Sequence, residues 1–189
     1  MPRRESPHRV ALRRLSLEPA TAERLESYLD TLAEWSRRVN LTGARTPDER
    51  VSRLVEAVWP LVEIVPAGRL IDVGSGNGSP GLVLALARDD LDVTLIEPRA
   101  RRWAFLREAL RRAGRRADVW RARHDGYTGP PAATVTIRAL ALPLPELAPL
   151  VEPDGRLVAV GARPPLAGPF VASLTESRPA VAVWVYRRR

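Results

Sequence analysis

The chain has 189 residues, a length that suits one main domain with a small appendage. Because it contains no cysteine and only two histidines, disulfide bonds, thiolate chemistry and a histidine-rich metal centre are excluded. All 30 basic residues are arginine, and the net charge of +8 with a pI near 11.2 favours a polyanionic partner.

The N-terminal third predicts a basic arm followed by helices. Residues 1–17 are basic and interrupted by two prolines, which is typical of a flexible arm. Apolar residues at helical spacing predict one helix over 21–38 and another over 47–59, so residues 18–66 form a helical N-terminal segment. Since no run of about 18 apolar residues occurs and the start of the chain is charged, we expect a soluble, cytoplasmic protein without membrane contact.

From residue 67 to 189, apolar β-branched runs alternate with helical patterns. The predicted strands cover 69–73, 92–96, 117–120, 133–137, 156–161 and 180–186. The predicted helices cover 81–88, 99–113, 144–150 and 167–176. This alternation predicts an α/β domain whose mostly parallel, twisted sheet carries helices on both faces.

The segment from residue 70 to 81 carries the strongest functional signal. An apolar run ends at Asp72, and Gly74, Gly76 and Gly78 follow before a helical pattern begins. A strand, a glycine turn and a helix bring backbone close to a nucleotide-like ligand, and glycine permits positive φ there. Asp72 would repel the pyrophosphate of a dinucleotide, so we expect S-adenosylmethionine, whose amino acid portion and sulfonium are cationic.

Further carboxylates are expected at the same edge of the sheet. Glu97 ends the second predicted strand, 21 positions after Gly76, close to the offset of about 20 at which an acid binds ribose hydroxyls. Asp125 follows the third predicted strand, where it could accept a hydrogen bond from the adenine amino group. Each acid also has a purely structural interpretation, as a helix N-cap for Asp72, a solvated strand end for Glu97 and turn chemistry for Asp125.

Several short motifs follow one another in a fixed order. They are Trp35 before Asn40-Leu41-Thr42, the glycine segment 72–81, Glu97, Phe105-Leu106-Arg107, Arg123-His124-Asp125, Ile137-Arg138-Ala139 and residues 153–157. Together they resemble the glucose-inhibited division protein B family, bacterial enzymes that methylate guanine N7 in 16S ribosomal RNA. The resemblance covers about residues 22–161 and implies a class I methyltransferase Rossmann-like fold.

The motifs and the resemblance together assign the site residues. The residues expected to bind S-adenosylmethionine are Asp72, Gly74, Ser75, Gly76, Asn77, Gly78, Glu97, His124, Asp125 and Arg138. We expect Asn77 to adopt the left-handed conformation that asparagine tolerates. The residues expected to contact RNA are Asn40, Arg123 and Arg138, and Arg138 is the candidate catalytic residue because an arginine fork can orient phosphate or guanine.

Alternatives remain for two of these residues and for the partner. Arg138 could be a solvated strand-end arginine, and Asn40 with Thr42 could cap a helix. We expect a monomer that binds 16S ribosomal RNA or the small-subunit particle and holds no metal. Arginines of the predicted helix 99–113, of the N-terminal arm and of the terminal 187–189 could follow RNA phosphates, whereas Trp103 and Trp120 are expected in the core.

The sequence also departs from the family pattern. Ser79 replaces a phenylalanine, residues 53–57 stand where the family has His-x-x-Asp-Ser, and Gly161-Ala162 stands where it has Lys-Gly. The region after the fifth strand is short, so we expect one strand of a terminal hairpin to be lost. These departures leave two alternatives, a catalytically silent RNA-binding protein and a methyltransferase for a small molecule or protein.

Overall fold

The computed structural model describes residues 5–140, 142–161, 167–178 and 181–189. Its α-helices are α1 Pro7–Leu12, α2 Pro19–Trp35, α3 Pro47–Arg50, α4 Leu61–Ile64, α5 Gly81–Ala87, α6 Ala100–Arg112 and α7 Leu144–Leu147. Its strands are β1 Gly68–Val73, β2 Leu91–Ile96, β3 Asp118–Trp120, β4 Ala132–Arg138, β5 Val151–Val160, β6 Phe170–Arg178 and β7 Val181–Arg188. The expected alternation of strands and helices is therefore confirmed up to β5.

The strands form one sheet in the order β3-β2-β1-β4-β5-β7-β6. Neighbours from β3 to β5 are parallel, whereas β7 runs antiparallel to both β5 and β6. Asp72 of β1 therefore pairs with Leu95 of β2 and with Thr136 of β4, so the carboxyl ends of the three central strands meet at one edge. Ligands of open parallel sheets bind at that edge.

The two faces of the sheet are covered unequally. One face packs against helices α1, α2, α4, α5 and α6 in a single cluster that joins the N-terminal helices to side chains such as Leu70, Val93 and Val158. The other face, with Ile71 and Val135, is covered mainly by α7 and the 3₁₀ turn Ala148–Leu150. Helices thus lie on both faces, as expected, and the N-terminal segment shares its core with the sheet.

Local sequence explains why the helices begin where they do. Pro19 stands at the first position of α2, where the lack of an N–H costs nothing. Thr46 and Glu49 form a reciprocal capping box at the start of α3. The predicted helix 47–59 then departs from regular geometry, because Val51–Val55 is a π-helical turn and Glu56–Val58 a 3₁₀ turn.

The prediction of a flexible arm over residues 1–17 is wrong for the described residues of that range. Ser6 caps α1, and α1 and the 3₁₀ turn Arg13–Leu15 pack on α2 and α3. Leu12 is 1% exposed within the larger core cluster. Arg14 forms ion pairs with Asp48 of α3 and Glu56, and these ion pairs stabilise the packing of this region on the helices that follow. Residues 1–4, including Arg3 and Arg4, lie outside the described residues.

Two expectations for the C-terminal region are also wrong. The segment 167–176 was predicted to be helical, but strand β6 begins at Phe170 and pairs with β7. Since β7 presents unpaired backbone groups at the edge of the sheet, pairing outweighs the helical propensity of this short segment. The hairpin of β6 and β7 is consequently complete, and no strand is lost despite the short region.

Candidate functional site

The glycine loop between β1 and α5 has the expected backbone. Gly74, Gly76 and Gly78 have φ values of 72°, 50° and 96°, a region that residues with a Cβ rarely adopt. A Cβ on Gly78 would also lie 2.8 Å from Leu82 and 3.3 Å from Tyr28. The loop therefore needs glycine both for its turns and for its packing on α2 and α5.

Asn77 differs from the expectation, because it is absent from the residues with positive φ. Its side chain stabilises the loop through hydrogen bonds instead. Nδ2 donates to the Leu41 carbonyl at 3.2 Å, and Oδ1 accepts from the Ser79 N–H at 3.1 Å. Asn77 thus closes the loop locally and ties it to the segment that follows α2.

Ser75 is buried and bonds to the ends of β1 and β2. Its hydroxyl donates to the Asp72 carbonyl at 2.9 Å, and its N–H donates to the Ile96 carbonyl at 3.1 Å. These bonds fix the turn against both central strands. Ser75 therefore stabilises the conformation of the loop.

Asp72 is 1% exposed at the end of β1. Its Oδ1 accepts from the Thr136 hydroxyl of β4 at 2.6 Å, while no described group meets Oδ2 with hydrogen-bond geometry. Burial raises the pKa of Asp72 to about 6, and the hydroxyls of Thr136 and Ser75, the Gly81 N–H and Arg138 oppose that rise. A buried carboxylate oxygen without a firm partner is suited to a cationic ligand group.

Glycine at position 81 is needed because of Asp72. A Cβ at Gly81 would lie 2.3 Å from Asp72 Cβ and 2.6 Å from its Oδ2. The start of α5 consequently packs directly on the carboxylate. No N-cap bond from a side chain is present at α5, so the N-cap interpretation of Asp72 is not supported.

Glu97 is 3% exposed at the end of β2, which contradicts its interpretation as a solvated strand end. Its Oε2 accepts from the Gly76 N–H at 2.9 Å and its Oε1 from the Arg99 N–H at 2.8 Å. Because a carboxylate offers about four lone-pair sites, each oxygen can still accept from a ligand hydroxyl. Glu97 therefore joins the glycine loop to the start of α6 and faces the same crevice as the loop.

Arg138 at the end of β4 is half-buried and hydrogen-bonded to protein groups, which argues against the solvated alternative. Its guanidinium donates to the Ser79 hydroxyl at 2.6 Å and to the Arg53 carbonyl at 2.7 Å. Burial lowers the pKa of Arg138, and nearby Tyr28 and Asp72 oppose that shift. The arginine joins the glycine loop to the π-helical turn Val51–Val55.

That π-helical turn also bonds the loop directly. The Ser79 hydroxyl donates to the Leu54 carbonyl at 2.7 Å. In a regular α-helix the carbonyls of consecutive residues are used by later N–H groups, whereas a π turn commonly frees such groups at functional sites. The sequence suggested only a continuous helix here and did not reveal this contact.

Helix α2 also contributes a hydrogen bond to the loop. Tyr28 is 0% exposed and donates its hydroxyl to the Asn77 carbonyl at 2.9 Å. Burial raises the pKa of Tyr28, so the phenol remains a donor at neutral pH. No sequence pattern pointed to Tyr28, because its contact with the loop depends on tertiary packing.

Asn40 enters the site through its backbone. Its carbonyl accepts from the Arg102 guanidinium of α6 at 3.1 Å, and its side chain is exposed. A Cβ on Gly76 would lie 3.6 Å from the same guanidinium, so this contact borders the loop. The Thr42 hydroxyl accepts from the Ala44 N–H at 3.1 Å within the loop before α3. Since Thr46 caps α3, the interpretation of Asn40 and Thr42 as helix caps is wrong.

The three residues after β3 are less closely associated with the crevice. His124 is buried and its Nε2 lies 3.0 Å from Glu146 Oε2 of α7. Arg123 and Asp125 are exposed and lie 3.5 Å apart as an ion pair. No described contact links any of the three to the glycine loop, so their assignment to cofactor or RNA stays a prediction.

The remaining candidate arginines lie on helix α6 and at the C-terminal end of the chain. On α6, Arg111 and Arg112 pair with Glu108, and Arg107 lies 4.8 Å from the centre of the Trp103 ring. Arg187 lies opposite Arg156 in the pairing of β7 with β5, and Arg188 donates to the Val151 carbonyl at the start of β5, so the C-terminal arginines lie at the edge opposite the glycine loop. Trp103 and Trp120 are partly buried, Trp103 with its indole N–H on the Val119 carbonyl.

The arrangement suits a ligand with a cationic end and a vicinal diol. Asp72 Oδ2 could meet a cation, the loop backbone lies between the two acids, and Glu97 retains acceptor capacity for hydroxyls. Within the described residues, no three metal-binding side chains form a group and no helix is long and apolar enough to cross a membrane.

Comparison with known proteins gives a consistent result. Residues 21–162 match the model of the GidB family, described as rRNA small subunit methyltransferase G. A ribosomal RNA small subunit methyltransferase G of Halorhodospira halophila is 39% identical over 165 residues, which cover 85% of this chain and 78% of the relative. That of Gluconobacter oxydans is 42% identical over 140 residues, covering 71% and 72%.

A solved structure shares the fold. An RNA methyltransferase from Salinibacter ruber in complex with S-adenosyl-L-homocysteine superposes with a TM-score of 0.60 at 18% identity. The superposition covers 71% of this chain and 91% of that one. At this identity the likeness establishes the methyltransferase fold alone.

Proposed function

The chain belongs to the rRNA small subunit methyltransferase G family of S-adenosylmethionine-dependent methyltransferases, and from this membership we propose that it methylates N7 of a guanine in 16S ribosomal RNA. The observation that carries the proposal is a glycine loop with three positive φ values between two buried acids, Asp72 and Glu97, on adjacent strands.

The residues present fit the cofactor. S-adenosylmethionine supplies a methyl group activated by a positively charged sulfur. Glu97 would accept hydrogen bonds from the ribose hydroxyls, and its bond from the Gly76 N–H keeps it in the crevice. The loop backbone and Asp72 Oδ2 would hold the amino acid end, where a carboxylate without a firm partner favours an ammonium.

Guanine N7 fits the side chains that the crevice offers. N7 has a free lone pair and no proton, so its attack forms an N–C bond while the C–S bond breaks and sulfur keeps the electron pair. No general base is needed for that step. The main task of the chain is therefore orientation, which can supply roughly 7–11 kcal/mol of barrier lowering.

Arg138 is the proposed orienting residue. Its guanidinium is held by Ser79 and by the Arg53 carbonyl, so its plane is fixed beside the loop before substrate arrives. A fixed guanidinium can bind phosphate or the O6 edge of guanine through its remaining N–H groups. It acts by position and charge and transfers no proton.

We also propose that the protein acts as a monomer in the cytoplasm, where its RNA substrate is assembled into subunits. In the part of the chain that the structure describes, Val10 is the one large apolar side chain that is mainly exposed. A surface with so few exposed large apolar side chains favours a monomer, or a polar partner, over a dimer with a hydrophobic interface.

The test is transfer of a labelled methyl group to 16S ribosomal RNA taken from a strain without the corresponding modification. RNA is offered free and as the small-subunit particle, and nuclease digestion with mass spectrometry locates the product. We expect 7-methylguanosine at one position. Glu97→Gln should greatly reduce transfer, whereas Glu63→Gln, a change at an exposed acid on α4, should not.

Other results would overturn the proposal in distinct ways. Cofactor binding without transfer to either RNA form would favour the catalytically silent alternative. Transfer only to proteins or small molecules would favour a different substrate class. Methylation of 16S RNA at another atom would refute the N7 assignment while leaving the RNA substrate in place.

A further inference from the structure

A groove lies between the end of α2 and the outer side of α6. Its volume is about 680 Å³, within the range of sites that hold small ligands. Its lining is Glu34, Trp35, Arg37, Arg38, Val39, Arg101, Glu108 and Arg112. None of these residues belongs to the glycine loop or to the strand ends that form the crevice.

Some charged side chains that line the groove have ion-pair partners, and others have none among the described residues. Arg112 pairs with Glu34 and with Glu108, so both acids of the groove are already engaged. Arg37, Arg38 and Arg101 are exposed, and no carboxylate of the described residues lies within ion-pair distance of their guanidinium groups. Three arginines are therefore available to an external anion.

The groove borders residues that reach the cofactor crevice. Val39 and Arg101 line it, and their chain neighbours Asn40 and Arg102 bond each other at 3.1 Å. A Cβ on Gly76 would lie 3.6 Å from that Arg102 guanidinium and 3.9 Å from Glu97. Only the Asn40–Arg102 contact is thus seen between the groove and the glycine loop, so a chain lying in the groove could extend past that contact to the loop.

We propose that this groove holds the sugar-phosphate backbone of the RNA that carries the target guanine. The inference rests on the proposed function for the identity of the polymer. One guanidinium group can bind two phosphate oxygens at once. Three guanidinium groups without a carboxylate partner can therefore make several such contacts. Trp35 and Val39 also line the groove and give it an apolar surface. A ligand that consisted only of acidic side chains of a peptide would not need that surface.

The test compares two triple variants with equal loss of charge. The groove variant is Arg37→Gln, Arg38→Gln and Arg101→Gln. The control variant is Arg116→Gln, Arg187→Gln and Arg189→Gln, whose arginines are exposed, and whose first two lie near the strand ends opposite the glycine loop. Fluorescence anisotropy with a labelled single-stranded RNA measures affinity over a range of salt concentrations.

We expect the salt dependence of the groove variant to be shallower by about 2 in the slope of log affinity against log salt, since each single-strand phosphate contact contributes about 0.7. Its KM for 16S RNA should rise about tenfold or more. Affinity for S-adenosylhomocysteine and the thermal midpoint should be unchanged in both triple variants, and the control should keep the slope of the native protein.

Equal weakening in both variants would overturn the groove, because it would mean that RNA responds to diffuse net charge. An unchanged slope in the groove variant would overturn it as well. A lysine version of the groove variant separates charge from fold, since it should restore the slope. The binding arm is independent of methyl transfer, so absence of transfer by the native protein would contradict the proposed function and not the groove.

Discussion

At the residue scale, the two acids of the crevice have different environments although they end adjacent strands. Glu97 accepts two backbone N–H bonds, which compensate its burial. Asp72 has one strong hydroxyl donor, and burial dominates its pKa. Glu97 is thus held by two backbone donors, whereas the charge of Asp72 depends on pH near 6.

Asp72→Asn separates these effects. The pKa of Asp72 is raised from 3.8 to about 6, so the folded protein binds a proton that the unfolded chain does not hold between these values. This group therefore adds stability as pH falls through about 6, with the gain complete below about 4. The variant should lose this contribution, which urea titrations of both proteins at several pH values would reveal.

Cofactor affinity should change in the opposite direction with pH. If the carboxylate holds the ammonium, affinity for S-adenosylhomocysteine should fall as pH drops below about 6, and Asp72→Asn should bind about tenfold or more weakly at pH 8. Calorimetry measures both. Equal affinity of the two proteins at pH 8 would show that Asp72 serves the fold only.

Arg138→Lys tests orientation by the guanidinium. A lysine keeps the charge but cannot donate to Ser79 and the Arg53 carbonyl with a planar fork. We expect turnover to fall about tenfold while affinity for S-adenosylhomocysteine stays the same. The ratio of the two rates should not vary between about pH 7 and 9, because neither side chain transfers a proton.

The matched control is Arg156→Lys. Arg156 donates to the Ile64 carbonyl at the opposite edge of the sheet, so this change loses a similar bond away from the crevice. If the two lysine variants lost turnover equally, the effect of Arg138 would be one of general stability.

At the element scale, the N-terminal helices hold the cofactor loop in place. Tyr28 of α2 bonds the Asn77 carbonyl, Leu41 after α2 accepts from Asn77, and Leu54 of the π turn accepts from Ser79. Three successive pieces of the N-terminal segment thus bond one three-residue stretch, 77–79. The segment is part of the site, and its contacts determine where the loop backbone lies.

Tyr28→Phe should loosen that loop without emptying the core. The change removes only a hydroxyl and leaves the Asn77 carbonyl buried without its donor, which costs about 1–3 kcal/mol. We expect the KM for S-adenosylmethionine to rise about fivefold to tenfold, with kcat nearly unchanged. Steady-state kinetics at saturating RNA would separate the two.

Tyr127→Phe is the matched control for this change. The Tyr127 hydroxyl donates to the Pro130 carbonyl in a loop before β4, so the same chemical loss occurs away from the glycine loop. A similar rise in KM for both phenylalanine variants would argue that Tyr28 has no special role in positioning.

At the scale of the whole molecule, the first helix belongs to the core. Ala11 and Leu12 join the cluster that also contains Leu29 of α2 and Leu54 of the π turn. The buried His8 lies 2.5 Å from Asp30 and so pins α1 to α2. Truncating the chain here would remove part of the support for the cofactor loop together with a set of arginines.

Leu12→Ala should lower the free energy of unfolding by about 2–5 kcal/mol, since a buried leucine leaves a cavity. Val10→Ala is the control because Val10 is 52% exposed in the same helix, and surface changes usually cost less than about 0.5 kcal/mol. Urea denaturation measures both. Equal stability of the two variants would restore the interpretation of this region as a flexible arm.

Much of the fold could be predicted because its signals are local and strong. The buried strands β1 and β2 are short β-branched runs, and α6 shows apolar positions such as Phe105 and Leu110 at helical spacing. The segment now in β6 could not be predicted, since its conformation depends on the free edge of β7. The prediction of a flexible arm is wrong because it gave more weight to prolines and charges than to the two apolar side chains that α1 buries, Ala11 and Leu12.

For the site, the sequence by itself determined the chemistry, and the tertiary structure decided the geometry. Three alternate glycines after Asp72 and an acid at Glu97 are patterns of residue type and spacing, which the chain carries locally. The bonds of Tyr28, Leu54 and Arg138 to the loop join residues from 25 to 59 positions apart. No local rule encodes such contacts, because they exist only once the N-terminal helices share a core with the sheet.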